Sequence, residues 1–96
     1  MMNNLKLDMT TQDSLIEYPC DFPIKVFGIA QSGFAQAIAE VVLAHDPDFK
    51  SATIETRSSS NAKYLSLTCT IRATSREQLD NLYRDLSSHP MVKMVL

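Results

Sequence analysis

Two cysteines, Cys20 and Cys69, and two histidines, His45 and His89, are the side chains best suited to nucleophilic or metal chemistry. Their spacing supports neither. No Cys-x-x-Cys pair occurs, which leaves out a zinc ribbon and a thioredoxin-type redox pair. Each histidine falls near the end of a helical pattern, where a protonated imidazole meets the negative end of the helix dipole. Asp46 and Asp48, beside His45, read as helix-end punctuation. Cys69 alternates with Leu67 and Ile71 and reads as a core residue, while Cys20 lies in a loop with no histidine placed near it. The sequence therefore offers no catalytic residue, no metal site and no cofactor site.

Two weaker constellations could bind rather than react. Gly28, Ser32 and Gly33 bracket a break between an apolar run and a helix. Helix amides attract anions, and glycine permits close backbone approach, so this loop is a candidate small-molecule site. The competing reading is an ordinary capped helix start with Ser32 as the cap. No carboxylate lies between Val26 and Gln36 to hold an ammonium group. The second constellation is basic. Lys25, Arg57, Arg72 and Lys93, with Phe27 among them, share the exposed side of a sheet if each strand alternates. Glu55 alone offsets them there. Such a face suits an acidic protein surface, a small anionic ligand or nucleic acid, although exposed lysines and arginines are commonly just solvated.

The elements that must position these residues follow from the pattern. PIKVFGIAQ reads as a first strand, with Ile24 and Val26 inward and Lys25 and Phe27 outward. A helix runs to about His45, with Phe34, Ile38, Val41, Val42 and His45 on one stripe. ATIETR reads as a second strand with Ala52, Ile54 and Thr56 inward, and SSSNAK as a turn. YLSLTCTIRA is the clearest strand, with Leu65, Leu67, Cys69 and Ile71 alternating against polar residues. Thr74 and Glu77 form a capping box for a second helix with Leu79, Leu82, Tyr83 and Leu86 inward. MVKMVL supplies a last strand with Val92, Met94 and Leu96 inward. Phe27, Ile29 and Val95 outside, with Leu43 and two bare sheet edges, give a homodimer as another use of the surface.

The order β-α-β-β-α-β predicts an α+β, ferredoxin-like two-layer sandwich: a four-stranded antiparallel sheet, order 4-1-3-2, with both helices on one face. Residues 1–13 read as a flexible tail and 14–96 as a single domain. Ninety-six residues with a net charge of −2 suit one modest core and give no global case for a nucleic-acid protein. The chain shows no signal peptide and no stretch suited to cross a membrane, and its cysteine usage fits a reduced cytoplasm.

LIEYPCDFPIKVFG, VVLAHDP, and the run from KYLSLTCTIRATSREQLDNLY to MVKMVL resemble the YbeD-like family of small bacterial proteins of unknown function, UPF0250. The resemblance implies a ferredoxin-like fold similar to ACT regulatory domains and brings no established activity. Together these readings predict a non-enzymatic cytoplasmic module, regulatory or protein-binding, that could also sense a small molecule. The alternative is RNA binding through the basic face. Against it, Phe27 would have Ser66 and Thr68 beside it, and neither can stack on a base.

Overall fold

The computed structural model describes residues 16–96; the tail expected over residues 1–13 lies outside the described residues. The chain folds as β1 (Cys20–Ile29), α1 (Phe34–His45), a 3-10 turn (Ser51–Thr53), β2 (Glu55–Ser58), β3 (Tyr64–Ala73), α2 (Arg76–Ser87) and β4 (Val92–Val95). The four strands form one antiparallel sheet in the order β2-β3-β1-β4, the predicted order counted from the other edge.

Alternation explains the layering. Ile24 and Val26 of β1, with Leu67, Cys69 and Ile71 of β3, point to one side and are buried. They meet Phe34, Ile38, Ala39 and Val42 of α1 and Leu79, Leu82 and Leu86 of α2 in one core. Each helix contributes a stripe at three- and four-residue spacing, and its other side stays in water. At ~25 cal/mol per Å² of apolar area removed from solvent, this cluster is the main favourable term in folding.

The ends of the helices differ from expectation. Gly33, not Ser32, precedes α1, with φ of 85° and no side-chain cap. Glycine accepts this left-handed backbone without strain. At α2 the capping box is shifted by one residue. Ser75 Oγ accepts from Gln78 N at 3.0 Å, and Gln78 Oε1 accepts from Thr74 N at 2.7 Å. Gln78 is thus not a solvated residue. Its amide nitrogen also donates to the carbonyls of His45 and Arg72, tying both helices to the end of β3. Buried Asp46 completes this junction by accepting from Arg72 N at 2.9 Å and from Asp48 N at 3.3 Å.

Strands two and four are also revised. Ala52 belongs to the 3-10 turn and is exposed. Thr56 pairs with Leu67 and so faces the helix layer, yet remains exposed, lining a hollow with Ala35, Gln36 and Ala39 of α1. In β4, Val95 pairs with Val26 and Met94 with Phe27, which places Val95 inward and Met94 outward. Leu96 exchanges both backbone hydrogen bonds with Lys25 and lies outward too. The predicted inward positions of Met94 and Leu96, and the outward position of Val95, are therefore corrected. The cause is a register shift beside Phe27 and Gly28, which makes Lys93 the extra residue of a bulge.

Candidate interaction site on the open face of the sheet

No helix among the described residues covers the second side of the sheet, and pairing fixes which residues meet there. Arg57, Ser66, Phe27 and Met94 form one row across all four strands. Tyr64 and Ile29 form the row on one side of it. Glu55, Thr68, Lys25 and Leu96 form the row on the other. Beyond these come Thr70 with Pro23, then Arg72 with Asp21. Pro23 is tolerated inside β1 because β4 reaches no further than the residue opposite Lys25, so no neighbour there needs its missing N–H.

Apolar groups dominate the middle. Among the described residues the exposed large apolar side chains are Ile29 (40%), Leu43 (38%), Tyr64 (41%), Met94 (49%) and Leu96 (62%). All except Leu43 stand on this face around half-buried Phe27. Single exposed apolar residues are ordinary, whereas a contiguous group of this kind marks an interaction surface. At the β2–β3 hairpin end the face sinks into a hollow of ≈ 190 Å³, lined by Phe27, Tyr64, Arg57 and Ser66 among others.

The electrostatics are milder than the sequence predicts. Lys25, Arg57 and Arg72 are exposed on this face, and Glu55 with them. A carboxylate missed by the sequence reading, Asp21, pairs with Arg72 at 3.1 Å. That surface pair contributes little to stability but uses up the Arg72 charge. Lys93, displaced by the bulge, is exposed on the edge strand and no longer follows the alternation. Lys25 and Arg57 have no ion-pair partner among the described residues, so they remain available. Lys63 sits 5.6 Å from the Tyr64 ring centre, a cation–π contact at the rim.

The other candidates carry less. A Cβ on Gly28 would lie 2.4 Å from the Met91 carbonyl oxygen and 2.6 Å from the Phe34 ring, so protein already fills that space. Gly28 serves close packing, and Ser32 lies exposed beside it without capping the helix. His45 Nε2 and Asp85 Oδ2 lie 2.7 Å apart and link the two helices. His89 Nδ1 accepts from Met91 N at 3.1 Å within the turn before β4. Among the described residues no three His, Cys, Asp or Glu side chains cluster closely enough to hold a metal ion. Burial pushes the Cys69 thiol up to about 11, which keeps it protonated and unreactive at neutral pH. No helix among the described residues is long and apolar enough to cross a membrane.

Residues 13–96 match a family model described as "Protein of unknown function (DUF493)". The chain belongs to this family. A UPF0250 protein of Nitrosomonas europaea is 60% identical over 86 residues, covering 90% of this chain and 99% of that protein. One from Janthinobacterium sp. is 65% identical over 91 residues, covering 95% and 98% respectively. These relatives carry no enzyme name. The solution structure of HP0495 from H. pylori superposes with a TM-score of 0.70 at 21% identity, covering 84% of this chain and 85% of that one. At that identity the likeness establishes the shared fold.

Proposed function

We propose that this chain is a cytoplasmic, non-enzymatic regulatory module that acts by docking a protein partner on the open face of its sheet. The observation that carries this reading is the convergence of Ile29, Tyr64, Met94 and Leu96 around Phe27, on the sheet face that no helix among the described residues covers. Interfaces draw their energy from a few apolar and aromatic groups at the centre and their orientation from polar groups at the rim. Here the apolar group supplies the centre, and Lys25, Arg57 and Glu55 lie beside it. RNA binding has weaker support, because Phe27 pairs directly with Ser66 and the positive charge is partly cancelled by Asp21 and Glu55. Small-molecule sensing at the Gly28–Gly33 loop has little, because the Phe34 ring occupies the space beside Gly28.

The test compares wild type with an Arg57→Glu/Met94→Ser double variant, both checked for folding by circular dichroism, in affinity capture from native lysate at low salt. Loss of specific protein partners from the folded variant is the expected result. An unchanged set of partners would remove the open face from the interaction.

A further inference from the structure

We propose that the open face docks an acidic amphipathic α-helix of a partner protein, with one apolar side chain of that helix seated in the hollow beside Arg57. This rests on the interaction reading above and adds the chemistry of the partner. Three independent properties of the face lead to it.

The first is the state of the backbone. Over the Phe27 and Lys25 rows, β3 and β1 are the inner strands of the sheet and bond to neighbours on both sides. Their amides and carbonyls point along the sheet and offer nothing to a ligand lying on top of it. An extended peptide there would leave its own main-chain groups without partners. A helix brings its backbone already satisfied and presents only side chains.

The second is the spacing of the apolar groups. Tyr64 and Ile29, then Phe27 and Met94, then Leu96 occupy three successive rows on one face. Rows two residues apart lie about 7 Å from one another, so the apolar strip runs about 14 Å. At about 1.5 Å per residue, nine or ten residues of helix cover it, with anchors at i, i+3 or i+4, and i+7. The hollow between Phe27, Tyr64 and Arg57, at ≈ 190 Å³, has room for one such anchor of leucine size.

The third is charge. Asp21 is engaged by Arg72. That leaves Lys25 and Arg57 on the face without ion-pair partners among the described residues, and Lys93 exposed on the edge strand. Among the described residues Glu55 is the one acidic side chain opposing them within the three apolar rows. Asp or Glu residues along the β2-facing flank of the docked helix's apolar stripe would meet Arg57 in the Phe27 row and Lys25 in the Leu96 row. A basic helix would meet the same cations with repulsion.

The experiment pans a phage-displayed library of random peptides, about 16 residues long, against the full chain at low salt. Enriched peptides are then synthesised and titrated against wild type, Arg57→Glu and Met94→Ser. The expected winners are helix-forming sequences with apolar residues at i, i+3/i+4 and i+7 flanked by Asp or Glu. Their affinity should fall about tenfold with Arg57→Glu and weaken as salt rises. Basic or extended winners that still lose binding in the variants would overturn the partner chemistry while leaving the docking face intact. Displacement of the winners by polyuridylate at low salt would overturn it in favour of nucleic acid. No enrichment, or peptides indifferent to both substitutions, would remove the inference and the docking face together.

Discussion

Ile24 and Val26 lie under the helices with almost no exposed surface, while Lys25 and Phe27, one residue away on the same strand, look the other way. Leu67 and Ser66 divide in the same manner on β3. The two faces therefore share a backbone and differ only in side chains. On the inner face each apolar group is matched by a helix stripe and accounts for folding. On the outer face no helix stripe among the described residues is matched to Ile29, Tyr64, Met94 and Leu96, which stay exposed, although serine or threonine would serve a solvated strand as well. An apolar group that folding does not use is evidence of a use elsewhere.

Substitutions on the two faces should separate accordingly. The largest effect belongs to the core: Leu82→Ala or Ile71→Ala should lower stability by about 2–5 kcal/mol in urea unfolding, through lost burial and a residual cavity. A loss under 1 kcal/mol at both sites would mean the helices do not pack as described. Gly28→Ala should cost about 1–3 kcal/mol, because its new methyl must displace the Met91 carbonyl or the Phe34 ring. Asp46→Ala leaves the part-buried Arg72 amide without its acceptor and should cost a similar or slightly smaller amount, read from the same urea curves.

Alkaline pH sharpens the contrast for a single thiol. The native Cys69 pKa lies above its ordinary value of 9.0, at about 11. Its contribution is thus complete below pH 9 and is lost as pH rises toward 11, worth roughly 2–3 kcal/mol at most. A Cys69→Val variant should show a flatter stability profile over that window. The smallest effect belongs to the outer face, where Met94→Ser should change stability by only about 0.5 kcal/mol. A cost near that of Leu82→Ala would show that the outer face serves folding after all.

Much of this division can be read from the amino-acid sequence because one strand states it plainly. YLSLTCTIRA alternates without exception, and the leucines of α2 fall at helical spacing, so layering and strand order follow. The places that misled are those where two readings fit equally. MVKMVL buries valines or methionine depending on the bulge beside Phe27, and alternation carries no sign of a bulge. Thr74 with Glu77 and Ser75 with Gln78 both satisfy a capping box, and only the path of β3 into α2 decides. Asp21 was hidden because Pro23 suggested a strand opening there, whereas β1 begins at Cys20. As a result the sequence overstated the positive charge of the open face and understated its apolar character.

Site-specific photocrosslinking in the living cell would test the role of the open face most directly. A benzophenone amino acid replaces Met94 in one variant and Arg84, on the solvated side of α2, in the other. Discrete adducts to a protein partner from position 94, with none from position 84, are the predicted outcome. Adducts from position 84 alone, or the same adducts from both, would place the contact surface elsewhere on the molecule.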